Sequence, residues 1–227
     1  MKIYDMTGAP NTARIRIVTA AKGLDDAIAF QRVDLISAEQ KRPEFLAMNP
    51  IGKIPVLELD DGTIISESTA ITEYLDTLDG QPLFTGTSPK ERALIHMMQR
   101  RVEQLLLEPV DDWFHYGTPG LGKALAPWRM PDWEGRHDWG RRRGEMAKRG
   151  LAYFDELLAT RPYLATDAFT LPDITLYISL IFAERCGIPH DHLPSLAAWR
   201  AKVDDLPCVR NQSGQELAPG DFERLGQ

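Results

Sequence analysis

Glu67-Ser68 stands where a short apolar run gives way to a helical period. At a strand-to-helix junction the first backbone N–H groups lack partners and the helix dipole is positive, so an anion is favoured there. Helix capping by Ser66 or Ser68 is the plainer use of the same residues. Upstream, Pro55 opens the run Ile54 to Leu59 (IPVLEL). Proline within a strand removes a ladder donor, so Pro55 needs a reason to be there. Cys186 and Cys208 lie far apart and belong to no CxxC or Cys/His cluster, which argues against a disulfide framework, a zinc site and thiol exchange. Arg141-Arg142-Arg143, the one basic triplet, reads as a solvated helix face.

These residues need elements to hold them. Lys2 to Tyr4 is β-prone, Thr12 to Ala21 carries Ile15 and Val18 on one helical face before Gly23, and Ala29 to Asp34 is β-prone again. That is a βαβ unit of about 33 residues. Pro43 opens a short helix to Met48. The strand Ile54 to Leu59, the turn Asp60-Asp61-Gly62 and a returning strand Thr63 to Ser66 form an antiparallel hairpin. Ser68 to Leu78 follows with helical spacing. The first 78 residues thus read βαβαββα, a thioredoxin-like α+β order.

The loop composition of Asp79 to Pro89 suits a linker, which divides the chain into residues 1–79 and an all-helical bundle over 88–227. Ser88-Pro89-Lys90-Glu91 is a capping box that starts a long helix towards Tyr116, and Thr170-Leu171-Pro172-Asp173 repeats the logic ahead of a helix ending near Gly187. Further helices are expected from Asp138 to Ala159 and Leu196 to Val203. Gly117 to Gly135, with Trp128 and Trp133, reads as a loop, and the tail beyond Pro207 as irregular.

At 227 residues, 43% hydrophobic and 26% charged, the chain has the composition of a globular protein of two units. A net charge of -7 argues against nucleic acid or an anionic membrane as partner and leaves a small ligand. The most apolar stretch, Ile174 to Ala183, is far short of the ~20 residues of a membrane span, and no targeting signal is visible, so a cytoplasmic protein is expected.

The segment NPIGKIPVLELDDGTIISESTAITEYL, Asn49 to Leu75, resembles the glutathione-binding half of the soluble glutathione transferases, and FTLPDITL at 169–176 resembles the capping segment of their helical domain. The resemblance runs in order along almost the whole chain and suggests a bacterial-type member. In this family the bond before the strand-start proline is cis, so the resemblance implies that the backbone of Ile54, before Pro55, pairs with the cysteine of glutathione. It implies that Ser68 binds the γ-glutamyl carboxylate, that Glu67 accepts from the α-ammonium, and that Lys53 is placed for the glycine carboxylate unless it is merely solvated. Glutathione as co-substrate, no metal, an apolar electrophilic acceptor and a homodimer follow from the same resemblance.

The sulfur site departs from the family. Aligning the first helix puts Ala9 at the serine position and Pro10 at that of the bacterial cysteine, and neither donates to a thiolate. Asn11 is the nearest polar candidate, in a Pro-Asn pair like that of some bacterial and fungal relatives; it is alternatively the N-cap of the first helix. Thr12 competes with it, and Thr7 is more distant. Trp113, Phe114, His115 and Tyr116 cluster where an acceptor pocket is expected, although four successive residues cannot share one helix face. The function this implies is conjugation of glutathione to an electrophile. The alternatives are a glutathione-dependent isomerase or peroxidase, or a glutathione-binding scaffold without turnover.

Overall fold

A computed structural model describes residues 1–118 and 134–210. Its N-terminal part comprises β1 (Lys2–Asp5), α1 (Pro10–Lys22), β2 (Ala29–Arg32), a 3-10 turn at Glu39–Lys41, α2 (Pro43–Met48), β3 (Val56–Glu58), β4 (Ile64–Ser66) and α3 (Ser68–Thr77). This is the expected thioredoxin-like βαβαββα order. The sheet order is β2-β1-β3-β4. β1 and β2 are parallel, with Ile3 opposite Phe30, and the other pairs are antiparallel, with Ile3 opposite Leu57. Because strand side chains alternate between faces, Ile3 and Leu57 enter the large core shared with α1, α3 and the helical part. Tyr4 and Val56 join a smaller core with Met6, Val33, Phe45 and Ile54.

Several boundaries move. β2 stops at Arg32 rather than Asp34, and β3 is confined to Val56–Glu58. α1 starts at Pro10, whose missing N–H costs nothing in a first turn, and its N-cap is Ala9, without a side-chain cap bond. Asn11 is therefore inside the first turn and is not the N-cap. Likewise α3 is preceded by Glu67, again without a side-chain cap bond, so neither Ser66 nor Ser68 serves as the cap.

The helical part contains α4 (Pro89–Val102), a π-helical turn Glu103–Leu107, α5 (Glu108–Asp112), a second π-helical turn Trp113–Gly117, α6 (Arg136–Leu158), α7 (Leu171–Arg185), α8 (Pro194–Asp204) and α9 (Pro207–Arg210). Both capping boxes are formed, by Ser88 with Glu91 and by Thr170 with Asp173. The long helix reaches Gly117 as one continuous run that contains the two π turns. Most of the loop holding Trp128 and Trp133, residues 119–133, and the tail from 211 lie outside the described residues.

The basic triplet is not a uniformly solvated face. Arg143 is buried, its Nε donating to Asp112 at 2.6 Å with its guanidinium beside the Trp139 ring, because α6 turns that side towards the long helix. The segment between α3 and α4 is pinned by Asp76, a fully buried carboxylate that accepts the backbone N–H groups of Leu83, Phe84 and Thr85 and the Thr85 hydroxyl, all at 2.8 to 2.9 Å.

Candidate functional site

A cavity of about 400 Å³ opens between the thioredoxin-like part and the long helix. On the first side Asn11, Lys53, Ile54, Pro55, Glu67 and Ser68 line it. The Ile54-Pro55 bond is cis. The turn before it is set by buried Asn49, whose amide donates to the Lys53 carbonyl at 2.8 Å and whose Oδ1 accepts from Ile51 N–H at 3.2 Å. Gly52 is required there. Its φ is +64°, and a Cβ would sit 2.8 Å from the Gln40 carbonyl oxygen.

Glu67 carries φ +72° and ψ 117°, a conformation that costs a non-glycine residue about 1–3 kcal/mol and that surrounding structure must impose. It aims the first turn of α3 at the cavity. Thr12 is not brought in: it is fully buried, its hydroxyl has no hydrogen-bond partner, and it does not line the cavity.

The opposite wall is polar. Gln99, Glu103, Glu108 and Asp111 line it with Leu107, at successive turns of α4 and its continuation. Glu103 is its electrostatic centre. Its Oε1 accepts from Gln99 Nε2 at 2.8 Å and from the Thr69 hydroxyl at 3.3 Å, and its Oε2 from Arg100 at 2.7 Å. Facing it from α1, Arg14 lines the same cavity while only 2% exposed. Burial lowers the Arg14 guanidinium to about 10, against the attraction of Glu103 and Glu67.

Farther along, His115 Nε2 lies 3.4 Å from Asp111 Oδ1. Burial pushes the Asp111 carboxyl up, but the His115 hydrogen bond and the charges of His115 and Lys53 outweigh it and hold the group below the usual carboxylate range. The rest of the aromatic run now divides. Trp113 donates its indole N–H to the Cys186 carbonyl at 2.9 Å and packs against α6, Phe114 meets Phe182 edge-on at 5.4 Å, and Tyr116 gives its carbonyl to the His137 ring at 2.8 Å. None of the four is among the residues lining the cavity.

Residues 9–78 match the family model described as the glutathione S-transferase N-terminal domain, and residues 143–207 match that of the C-terminal domain. Glutathione S-transferase 2 of Saccharomyces cerevisiae is 44% identical over 212 residues, covering 92% of this chain and 88% of the relative. The chain belongs to the glutathione transferase superfamily.

The crystal structure of the yeast protein Gtt2 superposes on this transferase with a TM-score of 0.86, covering 93% of this chain and 99% of that one. That of a glutathione S-transferase domain-containing protein from Marinobacter aquaeolei VT8 gives 0.85 at 46% identity, covering 92% and 100%. A maleylacetoacetate isomerase of Pseudomonas aeruginosa is 30% identical over 86% of this chain and 87% of its own length. Both cysteines of the transferase lie outside the cavity. Burial pushes the Cys186 thiol up to about 12 and raises Cys208 as well, so neither is a ready thiolate. Among the described residues no helix is long and apolar enough to cross a membrane.

Sequence reasoning missed Arg14, Thr69, Glu103 and Asp111. A signal existed for the first. Arg14 stands three and four residues before Ile17 and Val18, on the face that α1 buries, and a charge on a buried face demands a partner.

Proposed function

We propose that the transferase binds glutathione in this cavity, holds its sulfur as a thiolate and conjugates it to an apolar electrophilic small molecule. The observation that carries this reading is that Asn11, Lys53, Ile54, Pro55, Glu67 and Ser68, from separate segments of the chain, line one cavity. The Ile54 backbone pairs with the cysteine of glutathione, Lys53 meets the glycine carboxylate, and Ser68 with the N-terminus of α3 takes the γ-glutamyl carboxylate. Glu67 accepts from the α-ammonium. The sulfur attacks the electrophilic carbon, the leaving group departs with the electron pair of the broken bond, and the thiol proton is released to water. Rate comes from thiolate formation and proximity. The acceptor enters the cavity along its long-helix wall, where Leu107 is the apolar residue, and the protein works as a cytoplasmic homodimer. Sedimentation at micromolar concentration is expected to give twice the 25.6 kDa chain mass; a lone monomer refutes the dimer.

Calorimetry with glutathione and turnover of a generic aryl halide test the main reading. Ser68→Ala is expected to weaken glutathione by roughly 1.5–3 kcal/mol, the worth of a hydrogen bond to a charged group. An unchanged Kd puts the carboxylate elsewhere, and binding without turnover across an acceptor panel supports a scaffold instead. A glutathione-dependent isomerase is the second reading, favoured by the 30% identical relative named maleylacetoacetate isomerase. Cis-to-trans turnover of a maleyl keto acid, which carries one cis C=C bond, without loss of free thiol would select it.

Asn11 is proposed as the group that lowers the pKa of the bound thiol. A free thiol titrates near about 8.5, and each unit of depression corresponds to about 1.36 kcal/mol of preferential thiolate stabilisation. The N-terminus of α1 supplies about 0.3–2 kcal/mol depending on burial, so a two-unit depression needs a direct donor as well. The Asn11 amide is in the first turn of α1 and lines the cavity, whereas the Thr12 hydroxyl does not. Asn11→Ala is expected to raise the pKa read from thiolate ultraviolet absorbance, and Thr12→Ala to leave it in place. The opposite pattern transfers the role to Thr12.

A further inference from the structure

The peptide group between Gly8 and Ala9 is held at both ends, and only one of the holds is local. Its N–H donates to the Met6 carbonyl at 3.1 Å and closes the turn after β1, while its carbonyl accepts from Arg185 Nη1 at 2.9 Å. Arg185 is the last residue of α7, 177 positions along the chain and in the helical part. A cation is favoured at a helix C-terminus, and α7 is a firm support, with its capping box formed and most of its residues buried. Arg185 itself is exposed. Water competes for an exposed hydrogen bond, so this one adds little to global stability. Its consequence is local.

Gly8 is the soft joint of the loop. Its φ is +82°, and glycine passes between positive and negative φ at little cost. The residues that follow are stiffer. The Ala9 carbonyl accepts from Ala13 N–H at 3.0 Å, and the ring of Pro10 fixes its own φ. α1 has no side-chain cap bond at this end, so a swing of the Gly8 carbonyl passes through Ala9 and Pro10 and loosens the first turn. Asn11 stands in that turn and lines the cavity. We propose that Arg185 is a positioning residue, which by holding the Gly8 carbonyl from the helical part keeps the Asn11 amide aimed at the ligand's sulfur. The inference rests on the reading that Asn11 stabilises the bound thiolate, and it makes that stabilisation depend on a contact made by the other half of the chain.

The experiment is a double-mutant cycle on the full-length protein saturated with glutathione, read as the pKa of the bound thiol from thiolate ultraviolet absorbance. Arg185→Met is expected to raise that pKa by roughly half a unit to one unit, the equivalent of one ordinary hydrogen bond, with the melting temperature almost unchanged. Arg185→Lys keeps the charge and a donor and is expected to recover part of the effect. In an Asn11→Ala background, Arg185→Met is expected to add nothing, because nothing is left to position. An equal rise in both backgrounds means that Arg185 acts by its own charge and overturns the proposal. A wild-type pKa in Arg185→Met, beside a raised one in Asn11→Ala, overturns the proposal and leaves the Asn11 reading standing. An unchanged pKa in Asn11→Ala overturns both. Should Arg185→Met not fold, Arg185→Gln, which loses the charge and keeps one N–H donor group, carries the same cycle with the same outcomes.

Discussion

Asp76→Ala is expected to destabilise the protein by about 3–5 kcal/mol, the range for removing one side of a buried charged network. The carboxylate is fully buried and accepts three backbone N–H groups, from Leu83, Phe84 and Thr85, together with the Thr85 hydroxyl. Lys22 Nζ, from the end of α1, lies 4.0 Å from its Oδ1 and is itself shielded from solvent. Alanine leaves the three backbone N–H groups and the Thr85 hydroxyl without this acceptor, while Lys22 keeps Asp79 at 2.7 Å and the Gln81 carbonyl at 2.9 Å, and each orphaned buried donor costs about 1–3 kcal/mol on its own. The loss reaches the site indirectly. The pinned segment leads from α3, whose first turn borders the cavity, to α4, which forms the opposite wall, so a loosened segment lets the two walls drift. Denaturant unfolding followed by tryptophan fluorescence, at fixed protein concentration, measures it; the melting temperature should fall by roughly 6–20 °C. Asp76→Asn keeps one acceptor oxygen and should lie between wild type and alanine. A cost below about 1 kcal/mol for alanine would mean that water or a neighbouring side chain takes over the donors.

Gly150→Ala opposes two effects of known size. Alanine in a helix interior gains about 0.5–1 kcal/mol over glycine. Against this, a Cβ at position 150 would sit 2.0 Å from the backbone oxygen and 2.8 Å from the backbone carbon of Leu105. Those atoms belong to the π-helical turn Glu103–Leu107 and cannot rotate aside as a side chain can. Relief requires α6 to move away from the long helix, which opens the packing around buried Leu106 and Phe154. Overpacking typically costs about 1–3 kcal/mol and more where backbone must shift, so the clash wins and a net loss of about 3 kcal/mol is expected. Gly144→Ala is the control. Its Cβ would meet the Trp113 ring at 3.1 Å, a side-chain contact that gives by tenths of an ångström, and the helix-propensity gain should roughly cancel the cost. Equal thermal stability for the two variants would show that α6 adjusts freely. Because Glu103 starts the same π turn, a shift of α6 should also weaken ligand binding in the Gly150 variant beyond what its stability loss explains.

Much of this molecule is written locally. The order βαβαββα, the capping boxes of Ser88 with Glu91 and Thr170 with Asp173, and the turn at Gly62 are legible because each signal lies within a few residues, where periodicity and backbone hydrogen bonding are decided. The junction residues Glu67 and Ser68 and the strand-start Pro55 were likewise visible, since a change of local structure is itself a sequence pattern. What the sequence by itself determined is thus the set of elements, their order and the thioredoxin-like face of the cavity. The tertiary structure alone decided the other face. Glu103, in the π turn that follows α4, meets Arg14 and Thr69 of the thioredoxin-like side only because α1, α3 and the long helix pack at particular angles across one core. Two π turns set which residues of the long helix look inward, and Arg143 is buried because Asp112 waits on a neighbouring helix. The same holds for Gly150, whose missing side chain matters only because another helix's backbone arrives within 2.0 Å of where a Cβ would be. Contacts between residues far apart in the chain leave no periodic trace in a single sequence, and the close packing of helices is where they are fixed.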